Sequence, residues 1–179
     1  MSDLYNQIVS QRGSFENLLA RMPGFGGYID KASRRTADRM VRDHIADLLT
    51  QRIDRFSQIQ KKVLSSGGLS SMGKMQGVQM RMQTFRDRVK NSAAPGYTGA
   101  GEAIKVGSEE LEHLYSFDEA LIRYADKYDE ALNALDETVS ANQPVDDALG
   151  KIDQVTTEAS EAFTLRENVL TNLSKSLSA

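Results

Sequence analysis

The chain has 179 residues, 40% of them hydrophobic and 26% charged, with a formal net charge of -3. That length suits one domain with a sizeable core, and the composition is too apolar for a disordered chain. Cysteine is absent, which excludes disulfides, thiolate metal sites and a cysteine nucleophile. No basic stretch followed by an apolar core opens the sequence, and no run approaches the roughly 18 apolar residues of a membrane span. A cytoplasmic location is therefore expected.

Prolines fall only at positions 23, 95 and 144, and glycine pairs punctuate the rest. These mark breaks at 22–29, 65–69, 91–107 and 141–144. Between them lie five expected helices, at about 3–21, 30–64, 70–91, 108–140 and 144–177. The fold class expected is all-α: an elongated antiparallel bundle of about five helices in four columns, with a spectrin-like three-helix bundle as the alternative. One domain covers 1–179, comprising a basic helical half (1–91), a Gly-rich linker (92–107) and an acidic antiparallel hairpin (108–179).

The first helix, folded back through Pro23-Gly24, is expected to set Ile8 near Val41 and Leu4 near Ile45, stacked in one column with the short third helix. Two loops, Pro23 to Tyr28 and Pro95 to Gly99, hold Phe25, Tyr28 and Tyr97 on glycine-rich turns. Such aromatics cap their own bundle or serve as docking knobs.

Residues 30 to 90 carry 14 Lys/Arg against 6 Asp/Glu, whereas 101 to 179 carry 6 against 17. Lys31, Arg34, Arg35, Arg39 and Arg42 crowd the start of the second helix, with Lys61 and Lys62 at its end. This basic face could serve an anionic membrane surface, or the two hairpins could attract one another. No aromatics alternate with those arginines, which argues against nucleic acid.

In the hairpin around Gly67-Gly68, a constant index sum near 134 pairs Ile59 with Met75, Phe56 with Val78, Leu49 with Phe85 and Ile45 with Val89. Met72, Met75 and Met82 fall on that seam and read as core, although clustered thioethers can bind Cu(I). Gly73 and Gly77 weaken their helix unless a backbone approaches closely, so tight packing or mobility is expected there.

The fourth helix opens at Ser108, with Glu109 and Glu110 against the positive end of its dipole. Its seam runs through Leu111, Leu114, Asp118, Leu121, Ala125, Tyr128, Leu132, Leu135 and Val139. The fifth helix, with Pro144 in its first turn, offers Val145, Leu149, Ile152, Thr156, Ala159, Phe163, Arg166, Leu170 and Leu173. An index sum of 284 pairs Leu135 with Leu149, Ala125 with Ala159 and Leu121 with Phe163. The two misfit charges obey the same sum, which predicts a structural Asp118–Arg166 ion pair that fixes alignment.

Chemical motifs are sparse. Glu110 and His113 form one Glu-x-x-His step of the kind that ferritin-like di-metal sites use twice. The only other histidine, His44, has Val41 three residues before it, and a metal-binding role is not expected. Gly96 to Lys105 has the glycine separation of a phosphate loop, but Glu102 and Ala103 stand where lysine and serine or threonine belong. No enzyme activity, cofactor or small-molecule substrate is expected. The reading is a helical interaction or scaffold protein that binds a protein partner or itself. A peripheral membrane or stress-related protein using residues 31–62 is the alternative.

Overall fold

The computed structural model describes residues 3–10, 14–22, 34–92 and 108–175, with side chains described over 3–10, 17–22, 38–92 and 112–171. Six α-helices run through these residues: α1 (Asp3–Val9), α2 (Ser14–Arg21), α3 (Arg34–Ser65), α4 (Met72–Asn91), α5 (Ser108–Ser140) and α6 (Asp146–Lys175). The fold is all-α, a helical bundle. No described helix is long and apolar enough to cross a membrane.

Each hairpin turns on a helix end that satisfies its own orphan carbonyls. At the end of α3, Gly67 sits at φ 82°, and the Gly68 and Gly67 amides donate to Val63 and Leu64 carbonyls at 3.0 and 3.2 Å. At the end of α5, Asn142 takes the same left-handed role at φ 53°, with Gln143 and Asn142 donating to Thr138 and Val139 at 3.0 and 3.1 Å. Both are Schellman closures, which need a residue that tolerates positive φ. Gly68 is fixed for a second reason, because a Cβ there would lie 2.6 Å from Val63 Cγ1.

Inside the α5–α6 hairpin, Tyr128 donates to Thr156 Oγ1 at 2.7 Å and Arg166 Nε to Asp118 Oδ1 at 2.5 Å. Both contacts keep the same antiparallel register. Leu121, Leu132, Leu135, Leu149, Ile152, Ala159 and Phe163 close the seam between them, all buried. In the α3–α4 hairpin the corresponding core comprises Ile45, Leu49, Phe56 and Ile59 with Met75, Val78, Phe85 and Val89. α6 starts at Asp146, so Pro144 precedes the helix and does not lie in its first turn.

The two hairpins then lie side by side, α3 against α5 and α4 against α6. Across these seams the helices run parallel. Arg81 and Arg88 of α4 reach Asp153 and Ser160 of α6, in each case 72 residues further along the chain. A repeat of seven on both helices keeps each base facing an acid or hydroxyl down the seam.

The N-terminal segment departs from the sequence expectation. It forms two short helices, not one, and packs on α5, with α1 also reaching α6; among the described residues the backbone of neither lies close to that of α3 or α4. Ile8 and Leu4 therefore do not lie beside Val41 and Ile45, and the segment does not continue the α4 column. The physical cause is on α5 itself. Every residue from Leu114 to Ile122 is buried, including Tyr115, Phe117, Ala120 and Ile122, which lie off the α6-facing stripe. A helix apolar on several faces requires neighbours on several sides.

Candidate functional site

The most unusual chemistry in the bundle is a buried charge network joining α3, α5 and α6. Asp38 and Asp118 are fully buried and Arg166 is 1% exposed. The Arg166 guanidinium donates from Nε to Asp118 Oδ1 at 2.5 Å and from Nη2 to Asp38 Oδ1 at 2.6 Å. Arg42 Nε donates to the other Asp38 oxygen at 2.9 Å, and its Nη1 reaches the Lys90 carbonyl at 3.2 Å. Two carboxylates and two guanidinium groups thus neutralise each other away from water, the condition under which buried charge is tolerated.

Burial pushes the Asp38 carboxyl upward. The Arg166 and then the Arg42 charges and hydrogen bonds outweigh it, leaving the group below its ordinary value. A carboxylate held ionised in this way is a poor proton donor at neutral pH. The network holds three helices in register; it does not present a group to a substrate. The next residue on α5 after Asp118, Glu119, is buried and pairs with Arg21 of α2 at 3.4 Å and Arg123 at 2.7 Å.

The Asp118–Arg166 pair expected from the seam register is thus present, and Arg166 binds a second acid, Asp38, that the register argument did not include. Asp38 lies one turn before Arg42 on α3, an acid–base spacing visible in the sequence. Its burial follows from the docking of the two hairpins, which neither hairpin's periodicity encodes.

Two residues of the proposed basic face, Arg42 and Lys62, are used within the molecule. Arg42 is a correction: it is buried in the network just described, because it lies one turn after Asp38 and reaches the Lys90 carbonyl of α4. Lys62 pairs with Asp136 at 2.6 Å. Arg39 is exposed, 3.8 Å from Asp43, and Lys61 is exposed. Arg34 and Arg35 open α3, but their side chains lie outside the described set, as do Phe25, Tyr28, Lys31 and Tyr97 altogether.

Elsewhere the basic hairpin grips the acidic one. Arg52 pairs with Asp129 at 2.5 Å, Arg81 with Asp153 at 2.6 Å, Arg88 with Glu167 at 2.5 Å and Lys74 with Asp146. Arg88 also stacks its guanidinium 5.2 Å from the Phe163 ring centroid. The charge asymmetry between the halves is therefore met in part inside the chain.

Of the Glu110–His113 step, the Glu110 side chain lies outside the described residues. His113 Nδ1 lies 3.3 Å from the Tyr5 hydroxyl, and no cluster of three His, Cys, Asp or Glu able to hold an ion occurs among the described residues. Met75 and Met82 are core residues, whereas Met80 is exposed. The expected close backbone approach at Gly73 and Gly77 is not observed. Added Cβ atoms at Gly73 and at Gly150 on α6 would meet nothing within 4 Å, and one at Gly77 would touch only Arg81 at 3.5 Å. These three glycines line an open groove between α4 and α6, floored by Val78 and Leu149.

Comparison of the chain with protein-family models, with curated proteins and with solved structures finds no match.

Proposed function

We propose that this protein is a non-catalytic helical interaction module, which works by presenting surface from a rigid bundle to a protein partner or to a second copy of itself. The observation that carries this reading is the exposure of Leu64 and Leu69, 50% and 70%, on either side of the single turn joining α3 and α4. Apolar surface grouped at one place marks contact sites, and these two leucines flank one turn. The buried Asp38, Asp118 and Arg166 support the same reading, since they bind one another.

A peripheral membrane role draws on the basic face of residues 31–62, but that face is reduced by the inward use of Arg42 and the pairing of Lys62. The interaction reading is tested by light scattering behind size-exclusion chromatography at low and high salt, alongside recovery of bound proteins from the native source. A species heavier than one chain, or a bound partner, that is lost on Leu64→Gln/Leu69→Gln substitution is expected. A strict monomer that recovers no partner defeats the reading. Pelleting with anionic vesicles, unaffected by the two leucine substitutions, favours the membrane alternative.

A further inference from the structure

α1 and α2 have 7 and 8 residues, each below the roughly 12 to 15 that an isolated helix needs to persist in water. They depend on what they sit against. Among the described residues that support comes from one side of the molecule: the α1 backbone lies against α5 and α6 and that of α2 against α5, with neither close to the α3 or α4 backbone. The stripe of α5 beneath α1 comprises His113, Phe117, Ala120 and Tyr124. Tyr5 meets Phe117 at a ring separation of 5.6 Å and His113 through its hydroxyl.

Beside this seat a surface groove of about 280 Å³, open to solvent, runs between Leu4, Gln7 and Ile8 on one side and Ala120, Arg123 and Tyr124 on the other. Among the described residues, the segment's buried anchors are Ile8, Leu18 and Met22, with Leu4, Tyr5 and Val9 partly buried against the core. Arg21 ties the segment to the exposed Asp126 at 2.8 Å, a kind of pair that contributes little, and to the buried Glu119 at 3.4 Å. By contrast α3, α4, α5 and α6 are joined by two continuous apolar seams and the buried Asp38–Arg166–Asp118 network.

We propose that α1 and α2 form a strap that leaves α5 as one unit while the four longer helices stay folded, uncovering the Phe117, Ala120 and Tyr124 stripe. Local opening of this kind is expected where apolar anchors are few and the remaining fold is independently supported. The strap then governs whether that stripe meets water or is covered. The inference stands on this geometry and not on the exposed leucines of the α3–α4 turn.

Hydrogen exchange on the full-length chain, read by NMR or fragment mass spectrometry in the bimolecular exchange regime, tests it. The reporters are the Ser10 and Met22 amides, which bond the Asn6 and Leu18 carbonyls at 3.1 and 2.9 Å. They are expected to exchange at least about a hundredfold faster than amides within 125–137 and 150–163. Leu18→Ala is expected to speed residues 3–22 further and leave 125–137 unchanged, whereas Leu135→Ala speeds the seam. Two results would overturn the proposal: strap and seam amides exchanging at one common rate, or Leu18→Ala accelerating both equally.

Discussion

Arg166 holds Asp118 and Asp38 with separate nitrogens, at 2.5 and 2.6 Å, so one guanidinium closes the α5–α6 hairpin and ties it to α3. Removing it takes a guanidinium from two buried carboxylates at once. Arg166→Met is expected to cost about 3–5 kcal/mol. Replacing Asp118 together with Arg166 by apolar residues of similar volume is expected to cost less than the sum of the two single changes. Denaturant unfolding of the three variants measures this, and strictly additive losses would contradict a shared network.

Acid sensitivity follows from Asp38. Its folded carboxyl titrates below the ordinary 3.8, so the unfolded chain binds the proton first as pH falls. The stability this group contributes is complete above the unfolded value, declines once pH drops below about 4, and is gone below its folded value. Asp38→Asn should therefore lower stability at pH 7 and flatten the acid limb of a stability-against-pH curve. An unchanged limb would mean that other carboxylates govern it.

The glycines divide by what surrounds them. Gly73→Ala and Gly150→Ala are each expected to raise stability by about 1 kcal/mol, because the methyl enters open space and the helix gains propensity. Gly68→Ala is expected to lower it, because the methyl strikes Val63, and Gly67→Ala because of its positive φ. Melting temperatures of the four variants decide the matter. Destabilisation at Gly73 or Gly150 would show that the groove is narrower than described here.

The parallel α4–α6 seam predicts a charge-swap rescue. Arg81 and Asp153 are partly exposed, so Arg81→Glu should cost about 0.2–1 kcal/mol, and Arg81→Glu/Asp153→Arg should recover part of it. The rescue should shrink in high salt. A double variant no better than the sum of its parts would place these two side chains apart.

The hairpins were legible because their information is local. Apolar residues at alternating three and four spacing, a short turn, and Asp118 and Arg166 interrupting both stripes at mirrored positions specify the α5–α6 register almost completely. The docking of one hairpin on the other was legible only as a charge imbalance. Which arginine meets which acid depends on a parallel offset that no turn encodes, so Arg42 was assigned outward when it lies inside. The N-terminal segment was misplaced for a related reason. Tyr115, Phe117, Ile122 and Tyr124 announce a second sticky face on α5, but following the stripe towards α6 treats such residues as surplus.

The placement of α1 on α5 also sets a problem of timing. Tyr5 and His113 are 108 positions apart, so a ribosome must produce the intervening chain before the strap has a seat. During that interval Ile8 and Leu18 have no native neighbours, a state in which apolar side chains invite chaperones or mispairing with other nascent chains. Moving the α1–α2 stretch genetically to follow α6 would let the bundle form first, at the cost of a new connection.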